Sequence, residues 1–104
     1  MSKQTESIIA KDCLKLLDNL IANGHPIYYE HRSGGGGFSY KKGLPDLFIV
    51  VDGIHIECEL KTPWGERSSM QEKWATKFAL LNIKYMCPRS FVDFRDYILE
   101  ILKN

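Results

Sequence analysis

The chain has 104 residues, 44% of them hydrophobic and 26% charged, a balance that fits one globular domain and is too short for two separate cores. A net charge of +1 excludes a strongly basic or acidic tail, so any charged surface must arise from local arrangement. Cys13, Cys58 and Cys87 are widely spaced in apolar patterns, no apolar run approaches the roughly 20 residues of a membrane span, and the first residues lack a signal-peptide core. These features argue against a disulfide framework, a zinc site and a membrane span, and the expected location is cytoplasmic, with reduced thiols.

From about Thr5 to Ala22 the apolar positions Ile8, Ile9, Cys13, Leu16, Leu17, Leu20 and Ile21 recur with a helical period, and Asn23-Gly24 followed by Pro26 ends the helix. Glu6 falls in its first turn, where a carboxylate suits the positive end of the helix dipole. Ile27 to Arg32 is aromatic and β-rich and predicts a strand. The run Gly34–Gly37 follows. No Gly-Lys-Ser/Thr closes it, so it is no phosphate-binding P-loop; it reads as a hairpin tip or as a loop that orders on a ligand. Arg32, Lys41 and Lys42 flank it and suit phosphate contact.

Asp52-Gly53 lies between two β-branched runs, the pattern of a two-residue type I′ hairpin. With Val51 opposite Ile54, one face carries Leu47, Ile49, Val51, Ile54, Ile56, Cys58 and Leu60, all apolar. The other carries Asp46, Phe48, Val50, His55, Glu57, Glu59 and Lys61. A one-residue slip would put charges in the apolar set, so the register is well specified. It places Asp46 opposite Glu59, with Lys61 on the same face. Opposed residues have Cβ atoms roughly 4.5–5.5 Å apart, so the two carboxylates need a metal ion, a shared proton or a lysine between them. Glu57, on that face, reads first as a solvated charge, with a metal ligand or a dimer contact as the alternatives. A lone His55, like His25 and His31, carries no ligand spacing.

Thr62 to Arg67 predicts a loop, in which Trp64 suits either ordinary packing, the commoner case, or stacking on a base. Ser68 with Gln71, or Ser69 with Glu72, fits a capping box opening a helix to about Asn82. Lys73 and Lys77 share one face of that helix. Ile83 to Cys87 predicts a short strand ended by Pro88, and Ser90 with Asp93 opens a helix from Phe91 to Lys103. The order α-β-β-β-α-β-α predicts an α/β domain: a small mixed sheet flanked by helices over residues 1–104, its last strand parallel to a neighbour.

Two carboxylates on adjacent strands with a lysine two positions beyond one of them suit metal-assisted hydrolysis of a phosphodiester, with carboxylate oxygens holding a hard cation and a compact ammonium beside the reacting water. Pro45-Asp46 followed by Glu59-Leu60-Lys61 resembles the PD-(D/E)XK signature of the restriction-endonuclease-like nucleases. The wider set, Gly43-Leu44-Pro45-Asp46-Leu47, Asp52-Gly53, Glu59-Leu60-Lys61, Gly65 and Ser68-Ser69-Met70-Gln71, resembles the VRR-NUC branch, and the likeness runs from about Glu6 to Phe94.

That resemblance implies a restriction-endonuclease-like fold and DNA cleavage dependent on Mg²⁺, with Mn²⁺ able to substitute. It implies Asp46, Glu59 and the Leu60 carbonyl as metal ligands, Lys61 acting on the attacking water, Gln71 near the active site, and Glu6 completing the metal site directly or through water. Small stand-alone VRR-NUC proteins, including phage-encoded ones, resemble Holliday-junction resolvases. The implied partner is therefore branched DNA, cut by a homodimer in a bacterial or phage-infected cell. Arg32, Lys41, Lys42, Arg67, Lys73 and Lys77 form the candidate phosphate-binding set. The alternatives are a duplex, flap or nicked-DNA nuclease, a restriction-type subunit, or a DNA-binding module without turnover.

Overall fold

A computed structural model describes residues 5–32 and 43–103. Lys41, Lys42 and the Gly34–Gly37 run lie outside them. The elements follow the order α1 (Glu6–Ala22), β1 (Ile27–His31), β2 (Leu47–Val51), β3 (Ile54–Cys58), α2 (Ser69–Leu80), β4 (Lys84–Met86) and α3 (Phe91–Lys103). Helix α1 begins where the Thr5 hydroxyl accepts from the Ile8 amide at 3.2 Å, and it stops at Asn23-Gly24, where the Gly24 amide donates to the Ile21 carbonyl at 3.0 Å. Among the described residues no helix is long and apolar enough to cross a membrane.

The sheet runs β1-β2-β3-β4, with β1–β2 and β2–β3 antiparallel and β3–β4 parallel. The hairpin register is the expected one, Val51 opposite Ile54 through Leu47 opposite Cys58. Asp52 and Gly53 make its turn with φ of 49° and 80°, the doubly positive pair that a type I′ turn requires. Leu47, Ile49, Val51, Ile56 and Cys58 are fully buried with Ile9, Cys13 and Leu17 of α1 and Phe94 and Ile98 of α3 in one core. Each large apolar side chain so buried contributes roughly 1.5–3 kcal/mol. Helix α2 stands apart from that core, with Phe78 its buried residue and β4 its main neighbour. Burial also pushes the Cys13 thiol up to about 12, with a smaller push from Asp12, and both Cys13 and Cys58 are buried free thiols.

Two departures from the sequence reading shape the site. Strand β4 spans three residues rather than five. Strand β3 ends at Cys58, and the next residues leave β2 but stay alongside the end of β4 and the residues after it: the amides of Glu59 and Lys61 donate to the carbonyls of Met86 at 2.9 Å and Pro88 at 3.2 Å. The β2–β3 ladder therefore opens where Asp46 and Glu59 meet.

Candidate active site

Asp46 precedes β2 and is held from both sides. Its carbonyl accepts from the Arg32 amide at 2.7 Å, and its carboxylate Oδ2 accepts from the Leu60 amide at 2.8 Å. A side-chain oxygen thus serves the backbone N–H left over where the ladder opens. Glu59 is 1% exposed, with Oε2 accepting from Gln71 Nε2 at 3.1 Å. Its Oε1 is buried and receives no hydrogen bond. Burial, then the charge of nearby Asp46, push the Glu59 carboxyl up to about 9; Lys61 opposes this and Glu6 adds to it.

Lys61 is only 9% exposed, and the following loop folds back on its stem: a Cβ added at Gly65 would lie 3.3 Å from Lys61 Cδ. Gln71 does two jobs. Its Oε1 accepts from the Ser68 amide at 2.8 Å while its own amide donates to Ser68 Oγ at 3.1 Å, so the capping box is the Ser68 one rather than the Ser69 alternative. The side-chain nitrogen is left free to reach Glu59. Gly43, at φ 83°, lets the chain before Asp46 pass against this helix start; a Cβ there would meet the Met70 carbonyl carbon at 2.6 Å.

No family model matches the sequence, and no curated protein matches it. A solved structure does: a VRR_NUC domain aligns with TM-score 0.70 over 93% of this chain and 97% of its own, at 18% identity. This chain has the VRR-NUC fold.

Within that fold the structure brings Asp46, Glu59, Lys61 and Gln71 together as the motif spacing implies. Glu6 lies at the rim: it lines, with Ser7, Lys11, Leu14, His31, Asp46 and Leu60, a cleft of about 420 Å³. The sequence pattern assigns Ser7, Lys11 and His31 no functional role. The first two share a face of α1 with Leu14 by their spacing, a signal readable in hindsight; the placement of His31 depends on strand pairing.

Glu57 and Arg32 differ from expectation. Glu57 is no solvated charge but 2% exposed, and Arg32, expected among the phosphate contacts, is its partner. Arg32 Nη1 and Nη2 donate to Glu57 Oε1 at 2.6 Å and Oε2 at 3.2 Å, and Nη1 also donates to the Pro45 carbonyl at 2.9 Å. His55 Nε2 lies 2.6 Å from Glu57 Oε2. A largely buried ion pair thus fastens the backbone just before Asp46, with three of the guanidinium's hydrogen bonds made there. Of the other expected phosphate contacts, Lys73 and Lys77 are exposed on α2, with the Lys77 ammonium 5.2 Å from the Trp74 ring centre, while Arg67 lies 5.8 Å from that of Tyr85.

The donor set suits a hard divalent cation. A buried carboxylate oxygen without a hydrogen-bond donor, beside a second carboxylate that raises its proton affinity, is a place where a cation replaces a proton. Among the described residues no three His, Cys, Asp or Glu side chains converge. That is compatible with Mg²⁺, which takes one or two carboxylates and keeps several waters.

Proposed function

We propose that this protein is a metal-dependent endodeoxyribonuclease of the VRR-NUC family that hydrolyses DNA phosphodiesters. The observation that carries the reading is the Asp46–Glu59 carboxyl pair, with the donorless Glu59 Oε1, beside the nearly buried Lys61 in a VRR-NUC fold. Asp46, Glu59 and the Leu60 carbonyl would hold Mg²⁺ or Mn²⁺, with Glu6, which lines the same cleft as Asp46, completing the site directly or through water. The bound cation supplies charge neutralisation at the phosphoryl oxygens and a more acidic water. Lys61, held against its loop, orients the attacking water and balances charge in the transition state. Gln71 fixes the Glu59 carboxylate, and the Leu60 amide fixes that of Asp46. Lys73, Lys77 and Arg67 contact backbone phosphates, with Lys41 and Lys42 beyond the described residues.

The DNA class of this reading is branched, and the active unit is a homodimer. Paired nicks in a four-way junction require two sites related by two-fold symmetry, and one chain carries one Asp46–Glu59–Lys61 set. The test incubates purified protein with end-labelled four-way junction, flap, nicked and linear duplex DNA in Mg²⁺, Mn²⁺ or EDTA, beside Lys61→Ala. The expected result is paired nicks in the junction that vanish in EDTA and in the variant. Cleavage of the other DNAs instead would keep the nuclease and discard the junction. Tight binding without any cleavage would leave a DNA-binding module.

A further inference from the structure

Trp64 is 71% exposed, three residues after Lys61. Large aromatic side chains are normally buried, and an isolated exposed one on a floppy loop would mean little. This loop is built. The Gly65 amide donates to the Thr62 carbonyl at 3.1 Å, closing a turn with Pro63 and Trp64 at its two central positions. Arg89, from the segment after β4, donates through Nη1 to the Thr62 carbonyl at 3.0 Å and also to the Gly65 carbonyl. One part-buried guanidinium nitrogen therefore grips both ends of the turn, and Pro63 removes a further backbone freedom. The turn is also fixed relative to the chemistry, because Gly65 sits against the Lys61 stem.

We infer that Trp64 is a preformed platform on which an unpaired nucleobase next to the scissile phosphate stacks. The inference rests on the nuclease reading above and names what that site selects: DNA with an unstacked nucleotide at the cut, as at a branch point, rather than continuous duplex. An indole face accepts any base, so the contact selects strand structure and not sequence. Inside a fully paired duplex both faces of each base are already occupied by neighbours, and away from the ends the ring finds no partner. Holding the ring rigid before binding lowers the entropy lost when the base docks.

The test is made in EDTA, where binding is read without turnover. A Trp74→Phe background leaves Trp64 as the sole indole, since the sequence has two tryptophans. Addition of a splayed-end duplex should quench its fluorescence, and a blunt duplex of the same length should not. Trp64→Ala should weaken binding of the splayed DNA about tenfold, with Trp64→Phe recovering most of it and blunt-duplex affinity unchanged. Equal quenching by both DNAs, or equal loss of affinity for both, overturns the inference. Its failure is separable from failure of the nuclease reading, which is judged by whether the wild-type protein cuts any DNA in Mn²⁺.

Discussion

The two faces of the β2–β3 hairpin handle burial in opposite ways. On one, Leu47, Ile49, Val51, Ile56 and Cys58 are buried against α1 and α3, with no polar group to satisfy. On the other, Glu57 and, just past the end of β3, Glu59 and Lys61 are almost as thoroughly buried, yet each is charged or ionisable. The first face gains stability from area removed from water. The second is held by specific partners, and the two glutamates differ in how completely they are served. Both carboxylate oxygens of Glu57 meet Arg32 and one also meets His55, whereas Glu59 keeps one oxygen with no donor at all. The difference separates support from chemistry: a fully paired carboxylate positions its neighbours, and a half-paired one has room for a cation.

Breaking the fully paired side should do the most damage. Arg32→Met leaves Glu57 buried with only His55 and frees the Pro45 carbonyl, so stability should fall by about 3–5 kcal/mol. Chemical denaturation reads this directly. If Arg32 acted mainly on phosphate, the variant would instead keep its stability and lose DNA affinity.

The next largest effect should come from Gly43→Ala. Both the positive φ and the 2.6 Å approach to the Met70 backbone resist a side chain there, so α2 must shift. A loss of about 1–3 kcal/mol is expected. Metal affinity should fall with it, because Gln71 moves away from Glu59. Unchanged stability and metal affinity would show that the helix start is not coupled to the site.

A third effect is one of pH, spread over a window rather than read at one condition. The Glu59 carboxyl is raised from 4.5 to about 9 by burial and Asp46, so the folded metal-free protein keeps a proton that the unfolded chain releases. Its contribution to stability is therefore full below pH 4.5 and is lost as pH rises toward 9. The melting temperature of metal-free protein should fall across that window more steeply than in Glu59→Gln, which does not titrate. A steeper fall in the variant would reverse the sign assigned to this group.

Much of this could be read before any coordinates. Asp52-Gly53 and strict alternation specify the hairpin register, and with it the meeting of Asp46 and Glu59, because both signals are local. The Ser68–Gln71 box is equally local, and the motif resemblance pointed Gln71 toward the site. The Arg32–Glu57 pair was not legible. No short turn sets the register of β1 against β2, so nothing in the sequence shows that Arg32 comes alongside Asp46, and an unpartnered arginine near glycines resembles a phosphate contact. Trp64 was ambiguous for a similar reason: exposure of a loop tryptophan depends on what packs against it. Here Arg89, 24 residues beyond Gly65, helps to set that loop's shape.

The central claim is that the Asp46–Glu59 pair binds a divalent cation. Calorimetric titration of Mn²⁺ into the wild-type protein and Asp46→Asn, at matched pH and with folding verified, tests it most directly. Saturable binding in the wild type that is lost or sharply weakened in Asp46→Asn is the expected result. Equal binding by both proteins, or none by either, would contradict the assignment of this pair as the metal site.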